Sequence, residues 1–429
     1  MTLPADADRL RADIEANAAF GRVETGDPDA HARTNQPGSE ANRRARDRLV
    51  DRLRDAGLDV AVDAVGNVLG TWTPPSADPE AAPVVSGSHL DSVPEGGIFD
   101  GPLGVYAALE GVRAMRDAGV EPDRPVGVVS FTEEEGGTFG NGLLGSSVAT
   151  GELALDEALA LTDADGETLG EALDRIGYRG GRAVDAGELT TLDPASWAAF
   201  YELHIEQDTT LEEAGAAAGV VTTITGITHC EATIAGEANH AGATPMDGRT
   251  DALAAASEFV LDVEAAANDV VATSSPSAVG TVGSLSVDPN ATNVVPGRVE
   301  AAVDVRDVKA ASMEAIVEAA RDSLARLERE RGVETAFERP FDVAPTPMSE
   351  RLREAAHDAA DAAGREAIDL HSGAAHDAMR VAGVTDASLL FAPSRDGISH
   401  NPREWTDWDD CAAAAEVLAG ALARVAVDE

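Results

Sequence analysis

The sequence is poor in several residue types, and each shortage narrows the class of protein. Only two of the 429 residues are cysteines, Cys230 and Cys411, and they lie far apart in the chain. Neither a disulfide framework nor a thiolate zinc site is therefore indicated. No uncharged apolar run reaches the ~18 residues of a membrane-spanning helix. The N-terminal segment carries Asp6 and Asp8 instead of the apolar core of a signal peptide, so we expect a cytoplasmic protein.

Basic residues are also scarce. The chain has 32 Lys plus Arg against 77 Asp plus Glu, a formal net charge of -45, and Lys309 is its only lysine. Because such a surface repels phosphates and anionic lipids, we expect neither a nucleic acid nor a membrane as partner. The acidic residues are spread along the chain, which is typical of proteins from salt-accumulating cytosols. We hypothesise that the protein is halophilic and that high salt screens its self-repulsion.

What the chain does contain is an alternation of apolar runs and amphipathic stretches, which predicts an α/β fold. Its length exceeds that of one usual core, so two compact units are expected. Residues 83–88, 125–131 and 197–203 are predicted as buried strands, and 104–119 as a crossover helix. Sheets of this class hold their sites beyond the carboxyl ends of the strands.

The pattern changes near residue 220 to alternating strands and two longer helical stretches. We predict a smaller α+β domain at residues 223–335, inserted into a larger domain formed by 1–222 and 336–429. Its predicted elements are 220–235, 251–267, 279–287, 299–305 and 312–331.

The stretch from His89 to Asp100 offers ligands to a divalent metal. His89 is followed two residues later by Asp91, a carboxylate that can orient a ligating imidazole. Asp100 lies between glycines, where a tight turn can push its carboxylate into a cleft and let it bridge two metals. Taken singly, His89 could be an ordinary core histidine and Asp100 an ordinary turn residue.

Three adjacent glutamates, Glu133, Glu134 and Glu135, follow the strand predicted at 125–131. Adjacent carboxylates repel one another unless a cation is near or one of them is protonated. In a metallohydrolase one glutamate would be a ligand and its neighbour the general base. A solvated acidic loop would show the same three residues.

Four of the nine histidines lie in such motifs. His204 and His400 are further candidate ligands. His240 falls in the inserted domain, where a hydrogen-bond donor is a better interpretation than a metal ligand. Arg306 fits either a structural ion pair or a clamp for a substrate carboxylate.

Taken in order, these motifs resemble the amidase, hydantoinase and carbamoylase branch of the M20 metallopeptidase family. Its members include N-carbamoyl-L-amino acid hydrolases, β-ureidopropionases and allantoate amidohydrolases. The resemblance covers roughly residues 40 to 420. The motifs that carry it contain His89 and Asp91, Asp100, Glu133 to Glu135, His204, His240, Asn293, Arg306, His376 and His400.

The resemblance implies a zinc-peptidase-like α/β catalytic domain with an inserted dimerisation or lid domain, and hence a homodimer. It implies one metal held by His89, Asp100 and His204, and a second held by Asp100, Glu135 and His400. It makes Glu134 the general base and His240 an oxyanion donor contributed by the partner subunit. The substrate contacts that it implies are Gln207, Asn293, Arg306 and His376.

The implied reaction cleaves the carbamoyl C–N bond of a small ureido acid that has a carboxylate, giving amino acid, carbon dioxide and ammonia. Histidine and carboxylate ligands suit zinc first, and also manganese, cobalt or nickel. The chain departs from the usual motifs close to the ligands at Asp208 and at Gly137 to Phe139. Thr228 occupies a position where allantoate-cleaving relatives have an arginine, which favours an N-carbamoyl-L-amino acid or N-carbamoyl-β-alanine over allantoate. An M20 peptidase or N-acyl amino acid deacylase would use the same ligands on a different bond, and a non-catalytic descendant would use the pocket only to bind a ligand.

Overall fold

The computed structural model describes residues 2–140, 142–180 and 191–427. Its helices are α1 Ala7–Ala18, α2 Glu40–Asp55, α3 Pro102–Asp117, α4 Leu144–Ala149, α5 Leu155–Ala160, α6 Leu169–Ile176, α7 Thr210–Ala214, α8 Ala252–Thr273, α9 Ala310–Arg331, α10 Glu350–Ala363, α11 Asp377–Val381 and α12 Trp408–Ala426. Its strands are β1 Asp59–Val62, β2 Val68–Trp72, β3 Val84–His89, β4 Val126–Phe131, β5 Ala199–Ile205, β6 Ala218–Ile224, β7 Gly226–Ala235, β8 Asn239–His240, β9 Val279–Asp288, β10 Val294–Val295, β11 Arg298–Asp307, β12 Glu334–Val343, β13 Thr346–Pro347, β14 Ala367–Ser372 and β15 Ala387–Ala392.

The chain divides into two compact units. The first, unit 1, comprises Met1–Thr222, Pro347–Leu370 and Ala374–Glu429. Its large sheet has the order β1-β2-β4-β3-β5-β15-β6-β13, with β14 beside β6. Strands β4, β3, β5 and β15 run parallel to their neighbours in this series, and every residue of these four strands is buried. Helices α3 and α12 pack on the sheet and bury nearly their whole length.

The second unit, unit 2, comprises Thr223–Thr346 and His371–Gly373. It holds an antiparallel sheet of order β12-β7-β11-β9 and a two-stranded ribbon formed by β8 and β10. Helices α8 and α9 cover one face of the sheet, because alternate residues of β7 and β11 are apolar and meet the apolar stripes of the helices.

The prediction of an α/β fold is confirmed. The strands predicted at 83–88, 125–131 and 197–203 correspond to β3, β4 and β5 within one or two residues. The predicted domain end at residue 335 falls inside β12, which pairs with β7, so unit 2 extends to Thr346. Within the described parts of the chain, none of the helices has the length and apolarity needed to cross a membrane.

Candidate metal centre

The candidate ligands come together at the carboxyl ends of the four parallel strands of unit 1. His89 is the last residue of β3, and His204 is the penultimate residue of β5. Glu134 and Glu135 follow β4, and His400 follows β15. The parallel direction of these strands therefore places side chains that are up to 311 positions apart in the sequence at one edge of the sheet.

Asp100 occupies the centre of this group and is buried. Its Oδ1 lies 3.4 Å from Nε2 of His89 and 3.3 Å from Nε2 of His204. Its Oδ2 lies 3.5 Å from Nε2 of His400. The two carboxylate oxygens therefore face different histidines, which is the arrangement that a carboxylate shared by two cations requires.

The residue after Asp100 has to be glycine. Gly101 has a φ of +81°, and a Cβ atom there would lie 2.5 Å from Cε1 of His89. The absence of a side chain at this position lets the Asp100 turn approach the imidazole closely.

Hydrogen bonds that the imidazoles donate to main-chain carbonyls orient the two rings. Nδ1 of His89 lies 3.3 Å from the carbonyl oxygen of Asp91, and Nδ1 of His204 lies 3.0 Å from that of Ile205. Each ring therefore turns Nε2 toward Asp100. The Asp91 carboxylate, expected to orient His89, is 3.7 Å from Nδ1 and instead accepts a hydrogen bond from the amide of Glu135 at 3.2 Å.

The glutamate loop after β4 is fixed by its first member. Glu133 has a φ of +56°, and its Oε1 accepts hydrogen bonds from the amides of Thr138 and Phe139, both at 2.7 Å. Glu135 then lies with Oε2 3.2 Å from Nε2 of His400, and Glu134 with Oε2 3.6 Å from Nε2 of His89.

The pKa values of the clustered side chains are shifted by burial and by one another's charges. Burial raises the pKa of Glu135 to about 8, with a further contribution from the charge of Asp100. Burial likewise raises the pKa of Glu134 well above its usual value, although the nearby His89 opposes the shift. Burial alone would lower the pKa of His89, but the charges of Glu134, Asp100 and Asp91 raise it well above its usual value. Without a cation the carboxyls of Glu134 and Glu135 therefore favour their protonated forms, and a bound cation would favour the charged forms.

The residues present fit divalent metal ions. Three sets of side chains offer ligand atoms that lie within 4.8 Å of one another: His89, Asp100 and His204; His89, Glu134 and Glu135; and Asp100, Glu135 and His400. Moreover, Nε2 of His89 and Oε1 of Glu135 are buried without a hydrogen-bond partner among the described residues. Buried polar atoms normally have partners, so these two indicate a bound group.

Gln207 and His376 lie in unit 1 beside these ligands. Nε2 of Gln207 is 3.4 Å from Oδ2 of Asp100 and 3.1 Å from Oγ of Ser399. The buried ring of His376 packs edge-on against that of His204, with 4.6 Å between centroids. Burial, and then the neighbouring His204, lower the pKa of His376 well below its usual value, so that its ring is neutral.

Sequence reasoning missed two polar residues that lie next to the ligands. Oγ of Ser399 donates to Oδ2 of Asp100 at 2.8 Å. Glu202 is fully buried in β5 and accepts hydrogen bonds from Ser88 Oγ and from the amide of Ala378. The signal for both was their place next to a candidate histidine, since Ser399 precedes His400 and Glu202 is two residues before His204.

His240 and Asn293 lie together in the ribbon of unit 2. His240 pairs with Val294, and the carbonyl of Asn293 accepts a hydrogen bond from the amide of Ala241 at 2.9 Å. Nδ1 of His240 accepts from the amides of Gly242 and Ala243, at 3.0 and 3.1 Å. With Nδ1 as acceptor, the neutral ring carries its proton on Nε2, which is a donor.

Arg306 lies near the opposite end of β11 from the ribbon. Its Nε donates to Oδ1 of Asp304 at 3.0 Å, and its Nη1 donates to the carbonyl of Gly373 at 3.1 Å. Asp304 is also 3.0 Å from Nε2 of His229. The ion pair expected as one interpretation of Arg306 is thus present, and it leaves part of the five-donor guanidinium for another acceptor.

Comparison with known proteins gives a consistent set of matches. The model of peptidase family M20/M25/M40 matches residues 85–424. An N-carbamoyl-L-amino acid amidohydrolase from Geobacillus stearothermophilus is 41% identical over 376 residues, which cover 88% of this chain and 89% of that protein. An allantoate amidohydrolase from Bacillus subtilis is 34% identical over 80% of each chain. The crystal structure of an amidase of the hydantoinase/carbamoylase family from Burkholderia multivorans superposes with a TM-score of 0.88, at 38% identity and 99% coverage of each chain.

Proposed function

The chain belongs to peptidase family M20/M25/M40, and on this basis we propose that it hydrolyses the carbamoyl C–N bond of an N-carbamoyl-L-amino acid or a related ureido acid. The products are the amino acid, carbon dioxide and ammonia. The observation that carries the proposal is the Asp100 carboxylate, whose two oxygens face different histidines in a group of three imidazoles and two glutamates. The chain is also 41% identical to an N-carbamoyl-L-amino acid amidohydrolase.

Two divalent metal ions would occupy this group. His89, Asp100 and His204 would hold one, and Asp100, Glu135 and His400 the other, with zinc preferred over manganese, cobalt or nickel. When bound, such ions lower the pKa of coordinated water and polarise a substrate carbonyl. The fit is supported by the partnerless ligand atoms of His89 and Glu135.

Glu134 is the proposed general base. It is partly buried, and the raised pKa of its carboxyl suits a group that accepts a proton from water and then delivers that proton to the departing nitrogen. Glu135 is its neighbour in the chain but faces His400, so the two glutamates are assigned different roles.

Five residues are proposed as contacts for the substrate. Nε2–H of His240 would donate to the oxygen of the scissile carbonyl as negative charge develops there. Arg306 would bind the substrate carboxylate, and Asn293, Gln207 and the neutral His376 would supply further polar contacts.

The layout of unit 2 supports a homodimer. Arg306 lies eight positions after Arg298, which is next to the ribbon, along the extended strand β11, a distance of about 27 Å at ~3.4 Å per residue. Asn293 and His240 belong to the ribbon, which joins the sheet at the Arg298 end, whereas Arg306 lies at the other end of β11. We therefore assign His240 and Asn293 to the site of the partner subunit. The edge strand β9, with exposed Val279 and Leu285, is the proposed contact.

A mixing experiment tests this assignment. His240→Ala and Glu134→Gln should each inactivate the homodimer. Heterodimers of the two variants contain one site with an intact Glu134 and an intact partner histidine, so unfolding and refolding a mixture should restore about a quarter of the wild-type activity. Separately refolded variants are the control. No recovery from a mixture in which heterodimers are demonstrated would place His240 in its own chain's site.

The reaction itself is tested by ammonia release. Metal-loaded protein in high salt is assayed with N-carbamoyl amino acids, ureidopropionate, allantoate and N-acetyl amino acids. We expect ammonia from the first group, and an at least ~100-fold loss of turnover in Glu134→Gln with metal retained. Unchanged turnover of that variant would refute Glu134 as the base. Activity only on N-acetyl substrates would favour a deacylase, and metal binding without any turnover a ligand-binding descendant.

Allantoate is the second candidate substrate, because an allantoate amidohydrolase is among the relatives. At Thr228, where an arginine would favour allantoate, the buried hydroxyl donates to Oδ1 of Asp342 at 2.6 Å and accepts from Arg339. Thr228 therefore has no free donor for a second carboxylate, which supports the first choice. We place the enzyme in a salt-rich cytoplasm, which accords with the buried free thiols of Cys230 and Cys411 and the net charge of -45.

A further inference from the structure

Arg33 is a fully buried arginine whose side chain binds the main chain behind the metal ligands. Its Nε donates to the carbonyl of Gly97 at 2.9 Å, and its Nη1 to that of Leu90 at 3.1 Å. Its Nη2 lies 3.2 Å from the carbonyl oxygen of Asp91 and 3.3 Å from that of Asp100. One guanidinium therefore connects the segment after His89 to the Asp100 turn.

Glu404 also binds the main chain of the Asp100 turn, through amides instead of carbonyls. It is fully buried, and its Oε1 accepts hydrogen bonds from the amides of Phe99 and Asp100, at 2.9 and 3.0 Å. It lies four residues after His400, so it connects the Asp100 turn to the segment that carries that histidine. Gly97 makes room for it, because a Cβ atom at Gly97 would lie 2.1 Å from Cδ of Glu404.

We propose that Arg33 and Glu404 are positioning residues that set the place of the Asp100 carboxylate between His89 and His400, and thereby the affinity of the site for metal. Neither side chain offers an atom to the ligand sets. Both side chains bind the main chain at and next to Asp100. Because the Asp100 side chain is short, the position of this main chain determines where its carboxylate points. The inference rests on the proposed metal site and adds the residues that hold its shared ligand in place.

The test is the dissociation constant for Zn²⁺, measured on the full chain by competition with a chromophoric chelator. In Glu404→Ala the two amides lose their acceptor, and we expect affinity to fall about 10- to 100-fold. Glu404→Gln keeps a carbonyl oxygen at this place and should restore most of the affinity.

Arg33→Lys is the second variant, and it keeps the positive charge. A single ammonium cannot span the carbonyls of Gly97, Leu90 and Asp100, so we expect about tenfold weaker Zn²⁺ binding. Glu110→Ala is the matched control: Glu110 is another fully buried glutamate that accepts a main-chain hydrogen bond, from Asp6, and it lies outside the ligand sets. It should lower the melting temperature and leave Zn²⁺ affinity unchanged.

Two results would overturn the inference. One is a Zn²⁺ affinity of both Glu404→Ala and Arg33→Lys close to that of the wild type. The other is an equal loss of affinity in Glu110→Ala, which would make the effect one of general destabilisation. A wild-type chain that binds no metal would instead refute the proposed function, and the inference with it.

Discussion

Metal binding by this protein should release protons, because its ligands hold protons near neutral pH when no cation is present. Burial raises the pKa of Glu135 to about 8. Since a cation binds the deprotonated carboxylate, Glu135 alone should lose about nine-tenths of a proton at pH 7 and about one-tenth at pH 9. The raised pKa of His89 adds to the release in the same direction.

The corresponding change in affinity follows from linkage. For one group with a pKa of about 8, the apparent affinity for metal increases about tenfold between pH 7 and pH 9, or ~1.4 kcal/mol. The affinity for metal rises with pH, because fewer protons have to leave the ligands when the cation binds. Calorimetric titration with Zn²⁺ at pH 7, in buffers of different ionisation enthalpy, gives the number of protons released.

Glu135→Gln is the control for this measurement. It lacks the titrating carboxyl and should release about one proton fewer at pH 7, with a weaker dependence of affinity on pH. A wild-type release near zero at pH 7, or an affinity that is equal at pH 7 and pH 9, would refute the argument that the carboxylates are protonated before the cation binds.

Three further results are expected. The metal-free protein should lose stability as the pH rises from about 4.5 to 8, because the pKa of Glu135 is higher in the folded than in the unfolded chain; a melting temperature that increases over this range would contradict it. Thr228→Val should cost ~1–3 kcal/mol in urea unfolding, because it removes a buried hydroxyl bonded to Asp342; an unchanged midpoint would show that the bond contributes nothing. The melting temperature should rise between low salt and molar KCl, because salt screens a net charge of -45; a salt-independent value would reject the halophilic hypothesis.

The parts of the fold that the sequence predicts well are those with local signals. Strands β3, β4 and β5 are short continuous apolar runs, and the two long helices of unit 2 have apolar residues at helical spacing. Strand β12 was missed because Pro340 interrupts it. In the structure β12 is an edge strand, and its pairing with β7 shifts register between Glu338 and Phe341, where the missing amide of the proline is tolerated.

In the candidate site, too, only the residues with a local sequence signal could be predicted. His89, Asp100 and the glutamates stand out because histidine, carboxylate and glycine occur together at strand ends. Arg33 and Glu404 could not be found in this way, since their partners are main-chain carbonyls and amides that lie 57 to 67 and 304 to 305 positions away. A main-chain hydrogen bond does not require a particular residue type at the partner position, so the sequence does not reveal it. The one sequence feature related to Glu404 is Gly97, which has no side chain to collide with it.

The distance in sequence between the ligands has a consequence for biosynthesis. His89 and His400 are 311 residues apart, so at ~5–20 residues per second roughly 15 to 60 seconds of translation separate them. A nascent chain that has produced His89, Asp100 and Glu135 cannot yet hold the shared carboxylate between its two sets of imidazoles. The set of Asp100, Glu135 and His400 is therefore complete only when almost the whole chain has been made, whereas His89, Asp100 and His204 all belong to its amino-terminal half.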